Sequence, residues 1–216
     1  MDNDSCSTPS EPGAYPSDCE VLEGYRRIAR EKAAHEGRTQ AWQTTLAKAK
    51  AIKLLLLDVD GVLTDGSLIY SHEGKESKAF NTQDGFGLRM LQDSGVEVGI
   101  ITARSSEALS RRSADLKISH LYQGAMNKLE AYKEIIKKTG YKPFEIAYMG
   151  DDWLDMVLLT RVGLAAAPAN AVKEVKEMSH YTSEQSGGHG AVRELCDLIL
   201  EAQGKYKEFF QLYMNR

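Results

Sequence analysis

The chain has 216 residues, of which 42% are hydrophobic and 27% charged, a composition typical of a globular protein with a sizeable core. Its net charge is −4, and residues 1–20 hold five acids and no Lys or Arg, so the remainder is close to neutral. This balance excludes a basic surface for nucleic acid or for an anionic membrane. No apolar run approaches the ~18 residues of a membrane span, so we expect neither nucleic acid nor membrane as a partner.

The cysteine pattern and the start of the chain indicate a reducing compartment. Cys6, Cys19 and Cys196 are an odd number and lack the spacing of metal ligands. A basic segment followed by an apolar one, the signature of a secretory signal, is not found near Met1. We therefore expect a cytoplasmic protein.

The chain divides by composition into four segments. Residues 1–20 are rich in Ser, Pro, Asp and Glu, which predicts a disordered acidic tail. Residues 21–50 predict a helical extension. Residues 51–205 predict one domain, and residues 206–216 are left as a C-terminal tail.

Residues 51–205 alternate between short apolar strands and helices of about 10–15 residues, which predicts a doubly wound parallel sheet of the α/β class, covered on both faces. Near 67–80, two alternating arms around Glu73-Gly74 predict a β-hairpin. The predicted strands are 52–58, 96–101, 120–122, 145–149, 163–167 and 181–182. The predicted helices are 84–93, 105–115, 127–139, 170–178 and 191–202, with one more directly after Asp152.

Two carboxylates, Asp58 and Asp60, follow the apolar stretch 52–57 with one residue between them. A strand of four leucines is predicted to be buried, and a folded core gains nothing from negative charge at its end. Such charge must be offset by a metal ion, a shared proton or a bound cation. The pair therefore predicts a chemical site at the end of the first strand.

Further polar residues occupy equivalent places: Thr102 ends the second strand, Asp151 and Asp152 follow the fourth, and Lys128 lies near a helix start. Ligands of open parallel α/β sheets bind beyond the carboxyl ends of the strands. Taken singly, the Asp and Thr residues are also consistent with helix caps, and Lys128 with a solvated helix residue.

Together, these residues predict phosphoryl transfer. Carboxylates at one edge bind Mg²⁺, which prefers oxygen ligands. One carboxylate attacks phosphorus and a second moves the proton. A hydroxyl and an ammonium hold the phosphoryl oxygens, which carry most of the transition-state charge.

The same residues carry a resemblance to a known family. Asp58–Thr64, Thr102, Lys128 and Gly150–Asp155 resemble, in this order, the four motifs of the haloacid dehalogenase (HAD) superfamily. The resemblance implies a HAD-like, Rossmann-like sheet that binds Mg²⁺.

The resemblance also implies a role for each motif residue. Asp58 would be the nucleophile and a Mg²⁺ ligand, and Asp60 the general acid/base, ligating through its backbone carbonyl. Asp151 would complete the protein ligands. The remaining residues would support them: Asp152 and Asp155 from behind the metal site, and Thr102 and Lys128 by holding phosphate.

Residues 52–205 resemble more narrowly the phosphatases of 3-deoxy-D-manno-octulosonate (KDO) 8-phosphate, which serve lipopolysaccharide precursor synthesis. The matching segments are 78–81, 84–87, 120–124 and 187–194. A sugar acid suits arginine, which pairs with carboxylates bidentately. The implied substrate residues are Asn81, Thr82, Gln83, Asp84, Gly85, Arg89, Thr102, Arg104, Arg112 and Lys128. Arg89 and Arg112 are equally consistent with solvated helix faces.

The short inserts leave no room for a cap domain. About 17 residues separate Gly66 from Asp84, and about 25 separate Thr102 from Lys128. The hairpin near 67–80 must therefore serve as a flap. Resemblance to capless family members implies a homotetramer whose neighbouring subunits close the site, and an isolated two-stranded ribbon needs a partner to be stable.

Other functions stay open at this stage. A phosphatase for a nine-carbon sialic-type sugar acid 9-phosphate is the nearest alternative, although such relatives tend to carry Glu at the position of Arg104. His189 and Ala103 stand where the family carries Arg and Gly. The two non-enzyme alternatives are a receiver-like phospho-accepting module and a catalytically silent assembly module. A receiver takes phosphate on a later strand than the first.

Overall fold

A computed structural model describes residues 18–35 and 39–215 of the chain. Residues 1–17 of the predicted acidic tail lie outside the described residues, whereas residues 18–20 already belong to the first helix. No helix within the two described ranges has both the length and the apolar character that crossing a membrane requires.

Strands and helices alternate along the chain, as the pattern predicts. The strands are β1 (Leu54–Leu57), β2 (Ile69–Tyr70), β3 (Glu76–Ser77), β4 (Glu97–Ile101), β5 (His120–Tyr122), β6 (Ile146–Met149), β7 (Leu164–Ala167) and β8 (Tyr181–Thr182). The helices are α1 (Asp18–His35), α2 (Gln40–Ala49), α3 (Thr82–Asp93), α4 (Glu107–Asp115), α5 (Lys128–Thr139), α6 (Met156–Leu159), α7 (Lys173–Met178), α8 (Ala191–Ala202) and α9 (Tyr206–Met214).

Six strands form one parallel sheet in the order β5-β4-β1-β6-β7-β8. The predicted doubly wound α/β fold is confirmed, with β1 in the middle of the sheet. Because every strand runs in the same direction, the residues that follow β1, β4 and β6 meet at one edge. The predicted strand 52–58 is longer than β1, whose pairing covers only the four leucines.

The four leucines of β1 are fully buried because the sheet is covered on both faces. Leu55 and Leu57 pack with residues of α2, α3 and α8. Leu54 and Leu56 point to the opposite face and pack with residues of α5, α6 and α7. Alternate side chains of a strand lie on opposite faces. The sequence of a strand that is buried on both faces is therefore a continuous run of apolar residues.

The hairpin between β1 and α3 forms as predicted but is short. β2 and β3 pair antiparallel, apart from the main sheet, and Gly74 in the connecting turn has a φ of +77°. At its far end the chain enters α3 at Thr82, two residues earlier than predicted. The reason is a helix cap, since Asn81 Oδ1 accepts hydrogen bonds from the backbone N–H groups of Gln83 and Asp84.

The segment left as a C-terminal tail contains a helix that was not predicted. Residues 206–214 form α9. Its Tyr206 and Phe209 pack against the hydrophobic core on the side of the sheet that α8 covers. Phe86 of α3 makes an edge-to-face contact with Tyr213, with ring centroids 5.1 Å apart. The domain boundary proposed at residue 205 stays a prediction.

Candidate active site

The chemistry-bearing residues predicted from the sequence lie at the carboxyl edge of the sheet. Asp58 directly follows β1, Thr102 directly follows β4, and Asp151 follows β6 after Gly150. Lys128 is the first residue of α5, and Asn127 caps that helix by accepting a hydrogen bond from the backbone of Leu129. Parallel strands thus bring together residues that are up to 93 positions apart in the sequence.

Lys128 lies between two carboxylates. Its Nζ is 2.9 Å from Asp58 Oδ2 and 2.6 Å from Asp155 Oδ1, and its side chain is only 2% exposed. Carboxylate oxygens of Asp58, Asp151 and Asp155 all lie within 4.8 Å of one another. Three carboxylates around one ammonium leave an excess of negative charge in this cluster.

Burial and the excess negative charge raise the pKa values of the two outer carboxyl groups, Asp58 and Asp151. Burial, followed by the charge of Asp155, raises the pKa of Asp58 to about 6. Burial and the charges of Asp155 and Asp58 raise the pKa of Asp151 to about 7. Burial alone would lower the pKa of Lys128, but the two carboxylates raise it by more, so Lys128 stays an ammonium. A divalent cation would remove the remaining imbalance.

The donor set fits a Mg²⁺ ion. Asp155 is fully buried and already committed, whereas Asp58 and Asp151 are only partly buried and can offer oxygens outward. Mg²⁺ typically takes one or two protein carboxylates and keeps several waters. Asp58 and Asp151 are therefore the side chains that would hold it.

Asp155 organises the loop that carries Asp151. Its Oδ2 accepts hydrogen bonds from the backbone N–H groups of Asp151 (2.9 Å) and Asp152 (3.2 Å). Its Oδ1 accepts hydrogen bonds from Lys128 and from the buried hydroxyl of Tyr148 (2.5 Å). The Asp152 side chain is exposed and accepts a hydrogen bond from the backbone of Trp153 (2.7 Å). These contacts are the basis for the supporting role of Asp155, which stays a prediction. Tyr148 was missed because a Tyr inside a buried strand is usually a core residue.

Gly61 lets the loop after β1 approach Asp151. It has a φ of +79°, and a Cβ at this position would lie 2.0 Å from Asp151 Oδ2. The Asn170 side chain bonds to both loops. Its Nδ2 donates a hydrogen bond to the Gly61 carbonyl oxygen (2.9 Å), and its Oδ1 accepts one from the backbone N–H of Gly187 (2.6 Å). Asn170 thereby joins the loop after β1 to the glycine-rich loop 187–190, a contact that no local motif signals.

Gly61→Ala should displace Asp151 and weaken Mg²⁺ binding. We expect the Mg²⁺ concentration for half-maximal activity to rise by about 10- to 100-fold. The matched control is Gly74→Ala, which has a similar φ of +77° but meets no atom within 4 Å. Both changes carry the same backbone strain, so a rise that is equal in the two variants would contradict the contact with Asp151.

Asp60 lies at the same edge but faces the hairpin. Its Oδ1 makes a short contact with Lys78 Nζ, and its Oδ2 is 3.5 Å from Arg104 Nε. Glu76 contacts both cations, at 2.9 Å from Lys78 Nζ and 2.8 Å from Arg104 Nη2. Arg104 Nη2 also donates a hydrogen bond to the Tyr70 hydroxyl (3.1 Å).

Three members of this group were missed as site residues: Tyr70, Glu76 and Lys78. A usable signal existed, because Glu76 and Lys78 are two residues apart in an extended arm and therefore lie on one face. That face carries opposite charges next to the predicted catalytic pair.

Thr102 is buried beside this group. Its Oγ1 accepts a hydrogen bond from the backbone N–H of Arg104 (3.4 Å). Its backbone N–H donates to the Tyr122 carbonyl, and its own carbonyl accepts from Ala125. These bonds hold the loop after β4 against β5 and thereby fix the position of the Arg104 backbone.

Three of the predicted substrate residues line an open cleft of about 520 Å³. Asn81, Thr82 and Gln83 contribute to one wall, and Gly188 and His189 to another. Asn81 Nδ2 donates a hydrogen bond to the Gly188 carbonyl (3.2 Å), which joins the walls.

The other predicted substrate residues do not line this cleft. Asp84 is buried, and its Oδ1 accepts a hydrogen bond from the backbone N–H of Arg193 (2.8 Å). Arg112 covers Gly85 and donates to the Asn81 carbonyl (3.3 Å). Arg89 is exposed on α3, and its guanidinium donates to the Asp115 carbonyl (3.4 Å). Their roles toward substrate stay predictions.

Known proteins are similar to this chain in fold and in sequence. A family model of haloacid dehalogenase-like hydrolases matches residues 116–195. The KDO 8-phosphate phosphatase of Escherichia coli is 47% identical over 163 residues, 76% of this chain and 87% of that protein. The structure of the Yersinia pestis KDO 8-phosphate phosphatase has a TM-score of 0.75 at 44% identity, covering 76% of this chain and 88% of that one. The Moraxella catarrhalis KDO 8-phosphate phosphatase, solved with magnesium, phosphate and KDO, has a TM-score of 0.77 at 43% identity, covering 79% and 98%.

Proposed function

The chain belongs to the KDO 8-phosphate phosphatases, a family of haloacid dehalogenase-like hydrolases, and on this premise we propose that it hydrolyses KDO 8-phosphate to KDO and inorganic phosphate. The observation that carries the proposal is the cluster of Asp58, Lys128 and Asp151 at the end of β1. A receiver-like module is disfavoured, because the candidate nucleophile follows the first strand of the sheet.

Asp58 attacks phosphorus as the bond between phosphorus and the sugar oxygen breaks, which gives an aspartyl-phosphate. Asp60 donates a proton to the leaving sugar oxygen and then takes one from the water that hydrolyses the intermediate. The Lys128 ammonium and the Thr102 hydroxyl hold the phosphoryl oxygens. Asp58, Asp151 and the Asp60 carbonyl would hold Mg²⁺, which would supply positive charge that offsets the charge of the phosphoryl group.

The sugar acid is held by residues that surround the flap and the cleft. Arg104 is the proposed partner of the sugar carboxylate, since its guanidinium lies beside Asp60 at the catalytic edge. Arg104 also favours KDO 8-phosphate over a nine-carbon sialic-type 9-phosphate. The remaining proposed contacts are Asn81, Thr82, Gln83, Asp84, Gly85, Arg89 and Arg112. The reaction would serve lipopolysaccharide precursor synthesis in the cytoplasm.

Phosphate release from KDO 8-phosphate tests the function. We expect turnover with Mg²⁺ and its loss, by at least about 100-fold, after EDTA treatment, with recovery when Mg²⁺ is restored. The ratio of kcat/KM for KDO 8-phosphate to that for a nine-carbon sugar acid 9-phosphate should exceed one. Full activity in EDTA would refute the mechanism, and a ratio below one would reassign the substrate.

We also propose a homotetramer in which neighbouring subunits close the site. Leu68, Ile69 and Tyr70 form an apolar hairpin arm that is roughly half exposed in the single chain. A contiguous apolar surface on a short ribbon indicates a partner. Light scattering should give four times the chain mass of 23.9 kDa, and a fully active monomer would contradict the assembly.

A further inference from the structure

Lys78 is a buried cation on a part of the fold that is otherwise largely exposed. Its side chain is 2% exposed, while its neighbours Ser77 and Ala79 and most of the hairpin are open to solvent. A lysine on a short ribbon normally extends into water, where a pair with a carboxylate adds little. Here the ammonium is enclosed between Asp60 Oδ1 and Glu76 Oε1.

Lys78 and the three charged groups around it form a closed set. Lys78 and Arg104 each contact both Asp60 and Glu76, so every charge has two opposite neighbours. Glu76 and Lys78 lie on the hairpin. Asp60 and Arg104 lie in the loops that follow β1 and β4. The set therefore joins the hairpin to the catalytic edge of the sheet by ionic contacts.

The arrangement also distinguishes the two oxygens of Asp60. Oδ1 is taken by Lys78, which approaches from the hairpin. Oδ2 is 3.5 Å from Arg104 Nε, a contact that is not a hydrogen bond, so Oδ2 is the oxygen that can exchange a proton. A general acid must present one oxygen to the leaving group at hydrogen-bond distance, and small misplacements are costly.

We propose that Lys78 is a positioning residue for the phosphatase reaction: its ammonium, held by Glu76, fixes the Asp60 carboxylate so that Oδ2 faces the leaving oxygen of the substrate. The inference deepens the proposed function and rests on it. In the first step the Asp60 proton passes to the leaving oxygen as the oxygen–phosphorus bond breaks, and Lys78 keeps its proton throughout. The contact between Lys78 and Asp60 thus both holds the hairpin on the domain and orients the Asp60 carboxylate.

A series of phosphate esters with increasingly basic leaving groups, from p-nitrophenyl phosphate to an alkyl phosphate, separates positioning from general damage. A good leaving group departs without a proton, whereas an alkoxide needs the acid. We expect Lys78→Met to lower kcat/KM about 100-fold for the alkyl ester and less than about threefold for p-nitrophenyl phosphate. Because kcat/KM covers only steps up to alcohol release, the hydrolysis step common to all esters does not mask the difference.

Three further variants complete the test. Lys78→Arg keeps a cation and should restore most of the alkyl activity, and Glu76→Gln should steepen the leaving-group dependence in the same direction. Lys75→Met, on the same hairpin, removes an exposed lysine paired with Glu73 and should change nothing. Glu76→Gln also decides the matter if Lys78→Met fails to fold.

An equal loss for every ester, or no loss, would overturn the inference. Failure of the proposed function is distinguishable, because the wild-type enzyme would then release no phosphate from KDO 8-phosphate. The leaving-group dependence could still be read with the simple esters.

Discussion

Asp58→Asn is expected to lower phosphate release from KDO 8-phosphate by about 10⁴-fold or more, with the fold intact. An amide has the size of a carboxylate but no anionic oxygen to attack phosphorus. No aspartyl-phosphate should therefore accumulate when the variant is mixed with substrate and quenched in acid. Rapid-quench labelling of the protein and steady-state phosphate release measure the two effects separately.

The same substitution should not destabilise the metal-free protein. Burial and Asp155 raise the pKa of Asp58 to about 6, which means that its anion is disfavoured there without a divalent cation. Removing this charge reduces the repulsion with Asp151 and Asp155. The free energy of unfolding in EDTA should therefore stay equal or rise, and Mg²⁺ should stabilise the variant less than the wild type.

Asp152→Asn is the matched control, since Asp152 lies in the Asp151 loop but its side chain is exposed and caps a turn at Trp153. We expect activity within a few-fold of wild type. Residual activity of Asp58→Asn above about 1% would contradict its role as nucleophile.

The sheet and the carboxylate cluster could be predicted because their signals are local. Four leucines ending in Asp58 mark a central strand, and α8 was predicted at the residues 191–202 that it occupies. Since all main strands are parallel, the residues after each strand share one edge whatever the order of the strands. Asp58, Lys128 and Asp151 could therefore be grouped before any contact was known.

The ionic group at the hairpin could not be predicted in the same way. The spacing of Glu76 and Lys78 places them on one face of the ribbon, but whether that face turns toward Asp60 or toward solvent depends on how the ribbon lies on the domain. Asp84 was named as a substrate residue through the family resemblance, and no local pattern indicated that its carboxylate would be buried and accept a hydrogen bond from the backbone of Arg193 in α8. α9 was missed for a similar reason: its contacts with the core through Tyr206 and Phe209 are tertiary.

Lys128→Met should lower stability and activity together. The Lys128 ammonium contacts two carboxylates, one of them fully buried Asp155, and donates to the Tyr148 hydroxyl at 3.2 Å. Removing one partner of a buried ion pair typically costs about 3–5 kcal/mol, because the remaining charge loses its compensation. We expect a loss of this size in the free energy of unfolding, measured by urea denaturation in EDTA.

Magnesium should restore part of that stability but little of the activity. A divalent cation between Asp58 and Asp151 offsets some of the charge that Lys128 no longer balances, so the stability difference from wild type should shrink at saturating Mg²⁺. Turnover should stay reduced by at least about 100-fold, because no cation then holds the phosphoryl oxygens on that side. The control is Lys133→Met, which removes an exposed lysine of the same helix paired with Glu130 at 3.0 Å and should cost less than about 1 kcal/mol. If Lys128→Met proved as mild as this control, the buried ammonium would not be the partner on which Asp58 and Asp155 depend.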